Sequence, residues 1–210
     1  MNGAADQVMD LIFGRWRSQT LSAGTELGVF DHLDKRTAKS AETLATELNA
    51  DPTLLYRLLR AQAAIGLLEE DGSRGFVLTE NGDLLRSDHP QSLKPLARLE
   101  EGPQHYALWK HLPAMVQDGR QNAFVREFGR MAFEYALGNQ DYAERFKQAM
   151  TSYSSVQSSW ALEALRGAVE IAVDMETKAG AGKESADRTP STYEKIFNQK
   201  VNLAARFRNE

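Results

Sequence analysis

An aspartate followed at once by proline, Asp51-Pro52, constrains the fold of this chain more than any other pair of residues in it. The aspartate carboxylate accepts from the free N–H groups of a helix start, while proline has no N–H to lose and a φ already close to helical. The pair therefore opens a helix and stops any helix from running through it. Downstream, Leu54, Leu55, Leu58, Leu59 and Ile65 give the new helix an apolar face, and Gly66 ends it. Upstream, Ser40 caps a short helix whose Leu44 and Leu48 share a face. Before that, Val8, Leu11, Ile12, Trp16, Leu21 and Leu27 lay out a first long helix from Ala5 to Leu27, with Gly28 as its stop. After Gly66, the segments Leu67-Leu68-Glu69-Glu70 and Gly75-Phe76-Val77-Leu78-Thr79 flank Asp71-Gly72 as two strands of a hairpin with a loop longer than two residues. Three helices and a hairpin predict a winged helix within a mainly α chain.

From Glu80 onward helical periods return: Leu84-Leu85, then Leu93 to Glu101, then Tyr106, Leu108, Trp109, Leu112, Met115 and Val116 up to Gly119. Further helices are expected near Met131 and near Asp141. Beyond Arg166 the character changes. Thr177 to Ser191 is rich in Gly, Ala, Ser and Lys and reads as a flexible linker, and Tyr193, Ile196, Phe197, Val201, Ala204 and Phe207 allow a short amphipathic helix after it.

Composition removes several classes of function. Without a single cysteine there are no disulfides, zinc thiolates or thiol nucleophiles, and a reducing cytoplasm is the expected compartment. No export signal and no apolar run long enough for a membrane span is found, so no membrane partner is expected. The four histidines, His32, His89, His105 and His111, are scattered without metal-ligand spacing. Gly180, Gly182 and Lys183 imitate a phosphate loop, but its first glycine falls at Thr177 and Glu184 replaces the hydroxyl residue that reaches Mg²⁺. The serines from Ser152 to Ser159 lack the glycines of a nucleophile elbow. A winged helix also raises a DNA-binding regulator as an alternative, with the Asp51 helix in the recognition position. Against it, the net charge is −4 and the wing carries Glu69, Glu70 and Asp71, which repel phosphate, so no nucleic-acid partner is expected.

Several stretches resemble the N-terminal dimerisation and substrate-capping region of caffeate- and acetylserotonin-type S-adenosylmethionine-dependent O-methyltransferases. They are Glu26-Leu27-Gly28-Val29-Phe30-Asp31-His32-Leu33, the Asp51-Pro52 helix with Leu58-Leu59-Arg60 and Gly66-Leu67-Leu68, and the surroundings of Trp109. The most specific is Phe128-Gly129-Arg130-Met131-Ala132-Phe133-Glu134-Tyr135, followed by Phe146-Lys147-Gln148-Ala149-Met150 and Tyr153. The resemblance runs from about Asp6 to Arg166. It implies a winged-helix-like dimerisation domain over residues 1–100, a helical substrate-capping region over 101–166 and a divergent tail over 167–210. It also implies a homodimer held by Leu11, Ile12 and Trp16 of the first helix. An aromatic small-molecule acceptor is implied too, lined by Arg130, Met131, Phe133, Phe146, Met150 and Tyr153, with Gln19 and Ala23 placed to reach a partner's pocket. Arg130 and Tyr153 stand where plant members have Met and His, so the acceptor need not be the same phenol.

The family's next domain opens with a glycine-rich turn that binds S-adenosylmethionine and later supplies a catalytic histidine. Here the chain reads Arg166-Gly167-Ala168-Val169-Glu170-Ile171-Ala172-Val173-Asp174-Met175-Glu176 instead. The expectation is therefore that this chain lacks the catalytic domain, binds no cofactor and is inactive by itself. A stand-alone module that pairs with a full-length methyltransferase is a further alternative.

Overall fold

The computed structural model describes residues 3–179. The first helix, α1, runs Ala4–Leu27 and is closed by Gly28, whose φ of 76° only glycine adopts freely. A 3₁₀ turn, Val29–His32, leads to a two-residue strand β1 (Lys39–Ser40) and then to α2 (Ala41–Leu48), where the Ser40 side chain accepts from Thr43 N–H. Helix α3 (Pro52–Ala64) starts where the Asp51-Pro52 pair requires, with the Asp51 carboxylate accepting from Leu54 N–H at 2.8 Å. Strands β2 (Leu68–Glu70) and β3 (Gly75–Leu78) form the hairpin. β1 adds on the far side of β3, giving an antiparallel sheet of order β1-β3-β2 with Lys39 opposite Phe76 and Glu69 opposite Val77. β1 had no signal in the sequence, because two residues cannot display an alternation.

The core of this part is Val29, Phe30, Leu33, Leu44, Leu55, Leu59, Leu68, Phe76 and Leu78, all buried. Helix α1 joins it through its last turns only. Ser22, Gly24 and Thr25 are its buried residues, and Gln62 of α3, itself wholly buried, donates from Nε2 to Thr20 O.

The chain then continues as short helices: α4 (Glu80–Asp83), α5 (Lys94–Glu100), α6 (Pro103–Leu108), α7 (Leu112–Asp118), α8 (Ala123–Phe128) and α9 (Ala132–Leu137), followed by the long α10 (Gln140–Ala179). The stretch from Tyr106 to Val116 is not one helix. Pro113 lies in the first turn of α7, where its missing N–H costs nothing, and a 3₁₀ turn at Trp109–His111 separates α6 from α7. Gly119 ends α7 with φ 69°. The change of character after Arg166 does not end the helix, which carries Thr177 to Ala179 as well. The rest of the expected linker, and the amphipathic segment from Tyr193 to Phe207, lie outside the described residues.

Two compact units divide inside α10, at Ser155/Val156. The first contains the sheet, α1 to α9 and the start of α10, tied together by Glu26, which accepts from Arg98 Nε and Arg145 Nη1, both at 2.9 Å. In the second, Trp160, Leu162 and Leu165 are exposed along the helix. No helix among the described residues is long and apolar enough to cross a membrane.

Candidate functional site

α9 and the start of α10 are set by local signals. Gly129 ends α8 with φ 73°, and the Glu134 carboxylate accepts from Met131 N–H at 3.1 Å to open α9. Asn139 Oδ1 then accepts from Tyr142 N–H at 3.0 Å at the head of α10. Along α10, Phe146, Met150 and Tyr153 follow at spacings of four and three and so share one face. Phe133 of α9 meets Phe146 edge-on, with ring centroids 6.1 Å apart. Phe146 and Met150 are half-buried against Leu99, Tyr142 and Ala149, whereas Met131 and Phe133 are exposed, Phe133 at 75%. Tyr153 is half-buried and Arg130 exposed. The fold thus joins Phe133 to Phe146 and Met150 on one aromatic surface.

Gln19 and Ala23, both half-buried on α1, have other surroundings. Gln19 Nε2 donates to the Glu101 carboxylate at 3.1 Å, just past α5. Further up the same helix nothing is buried from Gly3 to Arg17. Leu11 is 79%, Ile12 65% and Trp16 63% exposed, and the Trp16 ring lies against Phe13 at 4.5 Å.

Beneath the aromatic surface is a second layer that sequence reasoning missed. Phe124 and Phe128 of α8 pack against Tyr135 and Tyr142, with centroids 4.7 to 5.7 Å apart. Their four-residue spacing was the available signal. His105 sits among them, its Nε2 3.0 Å from the Tyr142 hydroxyl and its Nδ1 3.4 Å from Glu100. Burial, with the nearby Glu100 and Tyr135, pushes the Tyr142 phenol up to about 12. His111 Nε2 pairs with Glu127 at 2.7 Å, and Lys110 with the hydrogen bond from His111 holds that carboxyl below its usual range. Two of the four scattered histidines, His105 and His111, therefore join α6 and the following turn to α5, α8 and α10.

Of the eight residues expected to contact an acceptor, only Arg130 and Tyr153 ionise. The surface is therefore largely apolar and aromatic.

The first helix carries an uncovered apolar face, and the helices after α8 present an aromatic surface. Comparison with known proteins identifies the family. The family profile described as the O-methyltransferase dimerisation domain matches residues 9–88, and that of the O-methyltransferase domain matches residues 109–199. The chain belongs to the O-methyltransferase family. The second match also carries the likeness beyond Arg166, where the sequence reading had ended it.

Among curated relatives, the O-demethylpuromycin O-methyltransferase of Streptomyces alboniger is 34% identical over 75% of this chain and 41% of its own length. The phenazine O-methyltransferase of Lysobacter antibioticus is 33% identical over 70% of this chain and 42% of its own. The crystal structure of human N-acetylserotonin methyltransferase with S-adenosylmethionine superposes with a TM-score of 0.69 at 27% identity, covering 78% of this chain and 49% of that one. The chain thus spans about two fifths of the curated relatives it matches.

S-adenosylmethionine, the group bound in that human structure, does not fit the residues described here. After Arg166, the apolar run that leads to an acid, Val169 to Asp174, lies within α10 and not on a strand followed by a tight turn.

Proposed function

We propose that this chain is the dimerisation and acceptor-binding region of a small-molecule O-methyltransferase, with residues 1–100 as the dimerising part, 101–166 as the cap over the acceptor and 167–210 as a tail that diverges from the family's glycine-rich turn while the domain profile still reaches residue 199. The observation that carries the reading is α1. Fourteen residues, Ala4 to Arg17, form helix without burying a side chain, and Leu11, Ile12 and Trp16 give that length an apolar face. A helix of this kind gains little from propensity alone and is stabilised by covering its face, and a second copy of the chain does so with two-fold symmetry. The aromatic surface of Phe133, Phe146 and Met150, with Arg130, Met131 and Tyr153 at its margin, takes the ring of the acceptor. Gln19 and Ala23 of α1 approach the acceptor of the partner subunit. The ring systems in the relatives' names, puromycin and phenazine, support an aromatic acceptor.

Nucleic acid is not a partner in this reading. Arg60 of α3 is drawn to Glu70 at 3.6 Å, and the hairpin presents Glu69 and Asp71 where a duplex would approach. The working compartment is the cytoplasm, where a chain without cysteine forgoes nothing.

Sedimentation equilibrium at micromolar concentration tests the assembly. Twice the monomer mass is expected, falling to one monomer mass in Leu11→Asp with helical circular dichroism retained. A wild-type monomer with a native spectrum refutes it. We further infer that these 210 residues alone do not bind S-adenosylmethionine. Calorimetric binding tighter than about 100 μM, roughly 5.5 kcal/mol, contradicts that inference.

A further inference from the structure

We propose that His105 is a positioning residue for the acceptor surface. Its neutral ring, held between Glu100 and the Tyr142 hydroxyl, seats Tyr142 against Phe146, and taking up a proton unseats it, so that aromatic ligands bind less tightly in acid. This rests on the acceptor-binding reading above and adds a control on that same surface.

Carboxylate, imidazole and hydroxyl stand here in the order of a catalytic triad, with Glu100 Oε2 3.4 Å from His105 Nδ1 and the Tyr142 oxygen 3.0 Å from Nε2. The hydroxyl is not placed to react. Tyr142 is 2% exposed, and burial keeps its phenol protonated, pushed up to about 12. What its ring does is carry others. It lies 5.2 Å from Tyr135, 5.7 Å from Phe124 and 6.2 Å from Phe146 between centroids, and Phe146 in turn meets Phe133. Glu100 ends α5, His105 lies in α6 and Tyr142 in α10, so the pair of hydrogen bonds ties the support of Phe146 to two other helices.

A phenol that stays protonated has a hydrogen to donate, and among the described residues the one hydrogen bond of the Tyr142 hydroxyl is with His105. Nε2 is therefore the bare nitrogen that accepts, which puts the ring proton on Nδ1, facing Glu100. A second proton reverses this. Nε2–H becomes a donor and the buried Tyr142 hydrogen loses its acceptor, while the positive ring is drawn towards the Glu100 carboxylate, whose side chain is 54% exposed. The other groups around the imidazole do not offset the change. Tyr135 accepts from Asn139 Nδ2, α8 presents the uncharged ring of Phe124, and Glu127 of that helix is taken by Lys110 and His111. Acid thus loosens the ring on which Phe146 rests.

The experiment titrates the full 210-residue chain with 1-naphthol, an aromatic probe that stays uncharged, at about pH 8 and about pH 5, the bounds of the range in which histidine side chains change charge, and follows amide shifts by NMR. Binding is expected to be about fivefold weaker at the lower pH, the scale of one hydrogen bond. His105→Phe should bind weakly at both, whereas His105→Gln, whose amide oxygen accepts from Tyr142, should recover the binding and lose the pH dependence. Long-range proton–nitrogen correlation should show His105 as the Nδ1–H tautomer at the higher pH. The Nε2–H tautomer, equal wild-type binding at the two pH values, or a pH dependence that survives in His105→Gln overturns the role of His105 and leaves the acceptor surface standing. Failure of the probe to bind at either pH, or shifts that avoid α9 and the start of α10, refutes the acceptor surface itself and the assignment with it.

Discussion

Replacing Gly24 by alanine drives a methyl group into the crossing of α1 and α3. The added Cβ would stand 1.9 Å from Gln62 Nε2 and 2.9 Å from Phe30 Cε2, against the 3.5–4.0 Å or so at which carbon atoms rest. Gln62 is wholly buried, so it has no solvent to swing into, and relieving the clash breaks its bond to the Thr20 carbonyl. Stranding that amide costs about 1–3 kcal/mol and overpacking about 1–3 more, less about 1 kcal/mol from alanine's better helix propensity, for a net loss of about 3 kcal/mol. Gly14, on the same helix, is the control. A Cβ there meets nothing nearer than Arg17 Nη2 at 3.8 Å, so Gly14→Ala should gain about 0.5–1 kcal/mol. Urea unfolding followed by far-UV circular dichroism, at one protein concentration because assembly adds to apparent stability, reads both values. In a Gln62→Ala background the new methyl enters vacated space, so the double variant should be more stable than the two single losses added together. A Gly24→Ala midpoint at or above wild type refutes the packing described for α1 and α3.

Gln62 Oε1 is buried without a hydrogen-bond partner among the described residues, so Gln62→Met, which removes the orphan along with the Thr20 bond, should leave the urea midpoint within about 1 kcal/mol of wild type. Tyr142→Phe deletes the hydroxyl that bonds His105, and a loss of about 1–2 kcal/mol is expected together with a shifted His105 imidazole resonance; an unchanged midpoint would show that the bond contributes nothing. Glu26 is held below the usual carboxylate range first by the hydrogen bond from Arg98, with the Arg145 charge adding to it. Its contribution is therefore full above its unfolded pKa of about 4.3 and is lost as pH falls through the lower folded value. The stability difference between wild type and Glu26→Gln should accordingly be larger at pH 6 than at pH 3, and a constant difference would contradict the pairing.

Local rules carried much of the fold. Ser40, the Asp51-Pro52 pair, Gly28 and Gly66 announced helix ends that do not depend on tertiary contacts, and each end lies where those residues place it. Two things were hidden. Strand β1 exists only because β3 offers an open edge to Lys39 and Ser40, which is a tertiary event. The break at Trp109–His111 follows from Pro113, which an apolar period spanning Tyr106 to Val116 conceals. At the candidate site, the spacing of Phe146, Met150 and Tyr153 places them on one face from sequence alone. That Phe133 meets Phe146 depends on the turn between α9 and α10, which cannot be read from spacing.

The central claim is that two copies meet along the uncovered face of α1, and the chain's lack of cysteine allows a direct look at that face. Gln7→Cys places a single exposed thiol on α1 beside Val8, and a nitroxide attached there reports its distance to the same label on a second copy by double electron–electron resonance. The account predicts a dipolar coupling between the two labels at micromolar concentration, abolished by Leu11→Asp. Uncoupled labels in a chain that sediments as a dimer would place the interface elsewhere and contradict it.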